Sequence, residues 1–167
     1  MIYAVKWKSP IGTLTIASDG ESITGLWMDG QEYFCAGLKP NPQDGSQLPV
    51  IQKTIVLLED YFQGKGLDIS AICLKPTGTA FQRAVWGILL KIPYGQTRTY
   101  GQIAAAVEAT RGSRTSPRAV GTAVGKNPIS ILIPCHRIIG ANGKLTGYAG
   151  GIHRKEYLLK FENGTAP

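Results

Sequence analysis

The chain has 167 residues, 43% of them hydrophobic, and a formal net charge of +7 at pH 7. This length fits one large or two small domains with an ordinary core, and no apolar run is long enough to span a bilayer. The N-terminus lacks the three regions of a signal peptide. Three widely separated cysteines make a poor disulfide framework, so we expect a reducing, cytoplasmic location, at the nucleoid if the source is prokaryotic.

The charge is divided unevenly along the sequence. Residues 1–75 hold six lysines and eight acids, whereas residues 76–167 hold twelve basic residues and only three acids, which gives the second part a net charge of +9. This asymmetry favours a polyanionic partner for the second part, and nucleic acid above all. The alternative is a solvated basic surface that only keeps the protein soluble.

The sequence predicts a small α/β domain over residues 1–75. The runs 2–8, 13–18 and 23–28 alternate apolar and polar residues between turn residues, which is typical of an antiparallel meander. The spacing of apolar residues predicts a helix over 49–63 and a short strand over 69–74. This half contains no residue pattern that indicates a catalytic site. Its two cysteines, Cys35 and Cys73, are interpreted as ordinary thiols in the core or near the surface.

The sequence predicts a mostly helical domain over residues 76–167. Thr79 and Gln82 form a capping box at the start of its first helix, and Ser116 with Pro117 marks the start of the third. The expected helices span residues 81–92, 99–110, 116–127 and 153–163. The β-branched run ISILI at residues 129–133 predicts a strand, and a Gly-rich loop separates this strand from the last helix.

The second and third of these helices, joined by the basic turn RGSRT, resemble a helix-turn-helix. Arg118 lies in the first turn of the third helix, and Gly121 and Gly125 lie further along it. A glycine inside a helix costs about 1 kcal/mol relative to alanine, so the two glycines indicate that something approaches the backbone closely. That neighbour is either a DNA groove or another helix.

In the run ILIPCHRIIG, Cys135, His136 and Arg137 interrupt an apolar segment. A free thiol is mostly protonated at neutral pH, and an adjacent imidazole can accept its proton to give the nucleophilic thiolate. The histidine needs a carboxylate that orients it, and we choose Glu162 on the last helix. Because neighbours in a strand face opposite ways, Pro134 has to supply a turn if the pair is to act together.

Other interpretations of this pair stay open. A buried cysteine with an incidental neighbour is a common structural feature. A metal site is disfavoured, because Cys135, His136 and the distant His153 are too few ligands and no Cys-x-x-Cys pair exists. A catalytic thiol can hydrolyse an acyl group, or it can attack an alkyl carbon and keep the group. The basic helix-turn-helix favours an alkyl group carried on DNA.

The segment NPISILIPCHRIIGANGKLTGYAGGIHRKEYLLKFE closely resembles the O6-alkylguanine-DNA alkyltransferase family, the methylated-DNA–protein-cysteine methyltransferases. The resemblance extends upstream through GTAFQRAVWGILLKIPYGQTRTYGQIA and covers residues 78–163, and SPIGTLTIASDGESITGLW is more loosely similar to the family's first domain. It implies a ribonuclease-H-like α/β domain, an antiparallel sheet plus a helix, followed by a mostly α winged helix-turn-helix domain.

The resemblance implies irreversible, stoichiometric transfer of an alkyl group from O6-alkylguanine, and also from O4-alkylthymine, in duplex DNA to Cys135. In this interpretation His136 acts as a base through a water, and Glu162 orients the histidine. Asn127 steadies the turn that presents the thiol, and Tyr100 donates a proton or hydrogen bond to the departing guanine. The sulfur of Cys135 is expected to be ionisable and accessible to an extruded nucleotide.

The resemblance also implies minor-groove binding with base flipping, in which Arg118 fills the gap that the extruded base leaves. The residues implied in DNA binding are Arg118, Ala119, Gly121, Thr122, Ser116 and Gln82. The residues implied in the substrate pocket are Tyr148, Ala149, Gly150, Ile138 and Val124.

Two departures from the family pattern limit what is carried over. Ala149 stands where some relatives have a serine able to hydrogen-bond O6, so no side-chain contact is expected there. Cys35 and Cys73 lack partner histidines for the zinc of some first domains, and we expect no metal and no cofactor. The expected partner is double-stranded DNA containing O6-alkylguanine, with no membrane, no obligate protein partner and a monomeric state. The competing hypotheses are a module that flags lesions without repair and a Cys-His hydrolase with repeated turnover.

Overall fold

The computed structural model describes residues 1–165, so residues 166–167 of the predicted second domain lie outside the described part. The chain forms two compact units. The first holds Met1–Thr77 together with Pro128–Leu132, and the second holds Gly78–Asn127 and the residues from Ile133 onward. The chain therefore leaves the second unit for a short segment and then returns to it.

The first unit is a four-stranded sheet with one long helix. Its elements are β1 (Tyr3–Ser9), β2 (Gly12–Ser18), β3 (Ile23–Met28), β4 (Gln43–Asp44) and α1 (Pro49–Phe62). The sheet order is β3-β2-β1-β4; β1, β2 and β3 form the predicted antiparallel meander, and the unexpected β4 runs parallel to β1. Burial of apolar side chains between α1 and the sheet is the main stabilising contribution. The fully buried apolar core consists of Leu14, Ile16, Ala17, Ile23, Leu26, Met28, Ile51, Leu58, Tyr61, Ile129 and Ile131.

The second unit is mostly helical. Its elements are α2 (Ala80–Leu89), β5 (Arg98–Thr99), α3 (Tyr100–Arg111), α4 (Pro117–Gly125), a 3-10 turn (Cys135–Arg137), β6 (Ile138–Ile139) and α5 (Ile152–Glu162). The helices α3 and α4 form the predicted helix-turn-helix, and β5 pairs with β6 as a small parallel sheet beside it. None of the helices in residues 1–165 is long and apolar enough to cross a membrane.

Local hydrogen bonds explain where these helices begin. The capping box of Thr79 and Gln82 is present at α2, and a second box at Thr99 and Gln102 begins α3. The Ser116 hydroxyl accepts from the Ala119 N–H at 3.1 Å and caps α4, which begins with a proline as predicted. Each cap satisfies N–H groups that have no partner within the helix.

Two strand predictions are wrong. Residues 69–74 contribute only a single bridge, Leu74 to Ile23, and residues 129–133 only one, Ile129 to Leu26. The second segment cannot continue as a strand because Ile131 has a φ of 68°, a left-handed conformation that a β-branched residue rarely adopts. The segment is apolar because it is a buried turn, and an apolar run alone does not distinguish the two.

Candidate active site

Cys135 begins the 3-10 turn that follows Pro134, so the expected turn is present. The Asn127 side chain donates from Nδ2 to the Ile133 carbonyl at 2.9 Å and fastens the chain just before the cysteine. The neighbouring His136 and Arg137 are buried in the same turn. A turn rather than a strand thus allows the consecutive side chains of His136 and Arg137 to lie in one buried cluster directly after Cys135.

Glu162, at the end of α5, is the centre of this cluster. His136 Nε2 lies 2.7 Å from Glu162 Oε1, and Arg137 donates to both carboxylate oxygens, from Nε and Nη2, at 2.9 Å each. The Gly95 N–H adds a longer hydrogen bond to Oε2 at 3.3 Å. Arg137 Nη1 also donates to the Ile92 carbonyl at 2.7 Å. A buried carboxylate with this many donors is held in one orientation.

The environment fixes the protonation of these groups. Burial acts to raise the pKa of Glu162, but the hydrogen bonds and charges of His136 and Arg137 outweigh it and lower the pKa to about 2. Burial lowers the pKa of His136, against the opposing effect of Glu162. His136 is therefore a neutral imidazole whose Nε2–H donates to the carboxylate. Its Nδ1 carries the lone pair and is buried without a hydrogen-bond partner among the described residues.

The Cys135 thiol is less accessible than the sequence predicts, since only 4% of the residue is exposed. Burial raises the pKa of this thiol, while hydrogen bonds from the Asn127 and Tyr148 side chains and the positive charge of Lys155 act to lower it. The physical reason is that the 3-10 turn that carries the cysteine is buried throughout, from Cys135 to Arg137. The expectation of an accessible, readily ionised thiol is therefore corrected for the free protein.

Lys155 on α5 is the second buried cation near the thiol. The residue is 0% exposed, and its Nζ donates to the carbonyls of Thr146 at 3.0 Å and Gly147 at 3.5 Å. Burial lowers its pKa to about 8, and the charge of Cys135 acts to raise it. The ammonium group thus fastens the loop residues that directly precede Tyr148.

The residues predicted to bind DNA lie on or beside α4, except Gln82. Ser116, Arg118 and Thr122 are exposed, and Ala119 and Gly121 are half-buried. A Cβ atom on Gly121 would meet only the Tyr100 ring at 3.6 Å, an ordinary contact, and one on Gly125 would meet nothing within 4 Å. Packing between helices therefore does not require glycine at these two positions.

Gln82 has a structural task, because its Oε1 accepts from the Thr79 N–H at 2.8 Å in the capping box of α2. Its side chain is half-buried. This hydrogen bond at the start of α2 therefore explains why a glutamine stands at this position.

Three of the residues predicted for the substrate pocket, Tyr148, Ala149 and Gly150, lie in the loop before α5, while Val124 lies in α4 and Ile138 in β6. Tyr100 lies at the start of α3, and its hydroxyl donates to the Thr146 carbonyl at 3.4 Å. Tyr148 and Ala149 are half-buried. Three further predicted pocket residues are buried: Gly150, Ile138 and Val124. Within residues 1–165, no group of three or more His, Cys, Asp or Glu side chains is placed to hold a metal ion.

The sequence analysis assigned no role to two buried cations of the site. Arg137 was visible as a charge within an apolar run, which is a strong sign of a buried partner. Lys155 was less obvious, but it lies three residues before Leu158 and seven before Glu162, so all three share one face of α5. This spacing was the available signal.

Comparison with known proteins relates both units to one family. The model of the 6-O-methylguanine DNA methyltransferase ribonuclease-like domain matches residues 1–76, and the model of the same family's DNA-binding domain matches residues 80–164. The predicted fold class, a ribonuclease-like α/β domain followed by a winged helix-turn-helix domain, is confirmed.

Individual relatives agree with these matches. A methylated-DNA–protein-cysteine methyltransferase of Haemophilus influenzae is 46% identical over 96% of this chain and 86% of its own length. One from Methanosarcina mazei is 54% identical over 93% of each chain. The crystal structure of Mycobacterium tuberculosis OGT in complex with DNA is similar with a TM-score of 0.81 and 43% identity, over 99% of this chain and 94% of that one. The chain belongs to the 6-O-methylguanine DNA methyltransferase family.

Proposed function

We propose that this protein repairs duplex DNA by moving the alkyl group of O6-alkylguanine, and of O4-alkylthymine, irreversibly to Cys135. Each molecule reacts once, because the thioether that forms is not reversed. The observation that carries this proposal is a buried thiol beside the His136–Glu162 pair, in the same unit as a helix-turn-helix with exposed Arg118. Family membership and the relative solved with DNA support it.

The chemical step is an in-line displacement at the alkyl carbon. The Cys135 thiolate forms an S–C bond while the C–O6 bond breaks, and the bonding electron pair leaves with guanine. The proton that the thiol loses balances the proton that the guanine anion gains. No water is consumed, and the products are a thioether and an unmodified guanine.

The proton leaves the thiol towards His136. Because Nε2–H is committed to Glu162, the free lone pair is on the buried Nδ1. A water between Nδ1 and the sulfur would accept the thiol proton and pass it on, as buried polar atoms commonly pair with an internal water. Glu162 then stabilises the imidazolium that forms.

The departing guanine needs a donor. The Tyr100 hydroxyl, which donates to the Thr146 carbonyl in the free protein, can turn to the base when it enters. A donor aimed at charge that develops in the transition state lowers the barrier more than one that binds the substrate alone. Tyr148, Ala149 and Gly150 would wall the base, with Ile138 and Val124 beneath it.

We propose that α4 enters the minor groove. Arg118 fills the space of the extruded base, while Ala119, Gly121 and Thr122 let the backbone come close, and Ser116 and Gln82 lie towards the phosphates. Extruding a base costs a few kcal/mol, and contacts from the basic half help to offset it. The open space beside the two glycines of α4 supports a groove rather than a helix as their neighbour.

The remaining features follow from this function. We propose that residues 76–167 form the DNA-binding and acceptor domain and residues 1–75 the smaller domain, and that the protein acts as a monomer in the cytoplasm. The three free cysteines support a reducing compartment. The proposed mechanism uses protein groups and one water and needs no cofactor.

The test is the intact mass after incubation with duplex DNA that contains one O6-methylguanine. We expect a gain of one methylene group per molecule and no further reaction with fresh DNA. Cys135→Ala should abolish the gain, while Cys73→Ala, which removes an exposed thiol, should not. A gain that survives Cys135→Ala, or repeated turnover, contradicts the proposal.

A further inference from the structure

Within residues 1–165, Lys155 is a buried cation with no carboxylate partner. The fixed charges buried in the described part of the chain are Arg137, Glu162 and Lys155. Arg137 and Glu162 pair with each other, whereas Lys155 is hydrogen-bonded only to the two neutral carbonyls of Thr146 and Gly147. A buried charge without an opposite charge is strongly unfavourable, so its presence requires a reason.

We propose that Lys155 is the counter-charge that stabilises the Cys135 thiolate, and that the carbonyls of Thr146 and Gly147 hold its ammonium group in place for this purpose. Lys155 is thus a positioning residue for the reaction described above, and the inference rests on that proposed function. Its ammonium group touches neither the alkyl group nor the base in this account.

Lys155 lies close enough to the thiol for its positive charge to act on Cys135, and the charge of Cys135 acts on Lys155 in return. The carbonyls that its ammonium group binds belong to Thr146 and Gly147, the two residues before Tyr148. Two of the three N–H donors of the ammonium group bind this loop. The same contact therefore orders the loop and brings a positive charge to the thiol.

The other ionisable groups around the site do not replace this charge. Arg137 is neutralised by Glu162, and His136 is neutral and donates to the same carboxylate. The two tyrosines nearest the loop, Tyr100 and Tyr148, carry hydroxyl groups and supply no cation. Lys155, with its pKa lowered by burial to about 8, still carries its proton at neutral pH.

Alkylation of Cys135 changes the charge balance between the sulfur and Lys155. The thioether product cannot ionise, so Lys155 loses the one group whose charge could compensate its own. We therefore expect Lys155 to release its proton more readily once the sulfur is capped.

The first experiment measures the apparent pKa of Cys135 in the full chain without DNA. The rate of carboxamidomethylation by iodoacetamide is followed against pH for each cysteine by peptide mass mapping. Lys155→Met should raise the apparent pKa of Cys135 by about one unit or more, a tenfold change in thiolate fraction. Cys35 and Cys73 in the same samples serve as internal references. Lys160→Met removes an exposed charge from the same helix and should change nothing.

A folded Lys155→Met protein whose Cys135 titrates as in the wild type overturns the inference and leaves Lys155 a purely structural group. Because the readout contains no DNA, it is independent of the proposed function. If Cys135 were not the alkyl acceptor, the mass gain from methylated DNA would fail while the pKa shift remained. If the inference is wrong, the mass gain persists and the shift is absent.

A second measurement needs no substitution and decides the question if Lys155→Met does not fold. Methyl methanethiosulfonate converts the Cys135 thiolate to a neutral methyl disulfide and releases methanesulfinate. The Lys155 titration is followed by NMR of labelled lysine side chains before and after capping. We expect a lower Lys155 pKa in the capped protein, and identical titrations overturn the inference.

Discussion

His136 Nε2 and Glu162 Oε1 lie 2.7 Å apart, although 26 residues separate them in the chain. The contact exists because α5 ends beside the 3-10 turn and because Arg137 binds the same carboxylate through two hydrogen bonds. One acidic side chain therefore orients the imidazole and neutralises the guanidinium. Separate substitutions can distinguish these two tasks.

We expect the Arg137–Glu162 pair to be essential for stability. Replacing either partner leaves the other charge buried and unpaired, which typically costs about 3–5 kcal/mol. Arg137→Met and Glu162→Gln should each lower the free energy of unfolding in urea by that order. The double variant should lose less than the sum of the two losses, because no charge remains unpaired. Additive losses would show that the pair is not energetically coupled.

Stability should also fall at acid pH in a way that Glu162 controls. Its pKa is about 2 in the folded chain against an ordinary value of 4.5, so the carboxylate stabilises the fold above pH 4.5. This contribution is lost as the pH falls from 4.5 towards 2. Unfolding measured across this range should be less pH-dependent in Glu162→Gln than in the wild type. Glu156→Gln removes a partly exposed glutamate of α5 whose pKa is lowered by the hydrogen bond from Lys160, and it should change the profile much less.

The glycines of α4 should be required for DNA rather than for folding. Gly121→Ala meets only an ordinary contact with Tyr100, and alanine favours a helix by up to about 1 kcal/mol. We expect this variant to be as stable as the wild type or more so, yet to bind duplex DNA more weakly in a fluorescence anisotropy titration. Gly87→Ala in α2, where a Cβ atom also meets nothing, is the matched control and should keep full affinity. Equal affinities for both variants would exclude a close approach at Gly121.

Arg118 should matter more for a base within a duplex than for a free base. Arg118→Ala removes the side chain that is proposed to fill the gap in the stack, so alkyl transfer from duplex DNA should slow by tenfold or more, corresponding to at least about 1.4 kcal/mol. Reaction with free O6-benzylguanine, which requires no extrusion, should fall much less. Lys53→Ala, an exposed charge on α1, controls for the loss of one positive charge. Equal slowing on both substrates would contradict the assigned role.

Local signals in the sequence predicted much of this structure. The caps at Thr79 and Ser116 were predictable because their hydrogen-bond partners lie within three residues. The meander followed from alternation between turns. The turn at residues 129–133 was not predictable, because its apolar character fits a strand and only the φ of Ile131 excludes one.

The candidate site was likewise predictable from the sequence in some parts and not in others. Cys135 and His136 are adjacent in sequence, and Glu162 was the natural acid among only three in the basic half. The burial of the thiol and the place of Lys155 depend on how the loop before α5 folds back on the turn. The Lys155 contacts in that arrangement are hydrogen bonds to backbone carbonyls, which any sequence offers. The sequence therefore indicates the face of α5 on which Lys155 lies, but not the loop residues that it binds.

Pro128–Leu132 folds with the first unit, where the Leu26 N–H donates to the Pro128 carbonyl and the Leu26 carbonyl accepts from the Ser130 N–H. Cys135, the proposed acceptor, follows this segment within three residues. A truncated protein that starts at residue 78 would therefore lose the strand to which this segment bonds. The two units are not formed by two consecutive stretches of the chain. Removing residues 1–77 would therefore also remove the strand that holds the segment before the 3-10 turn.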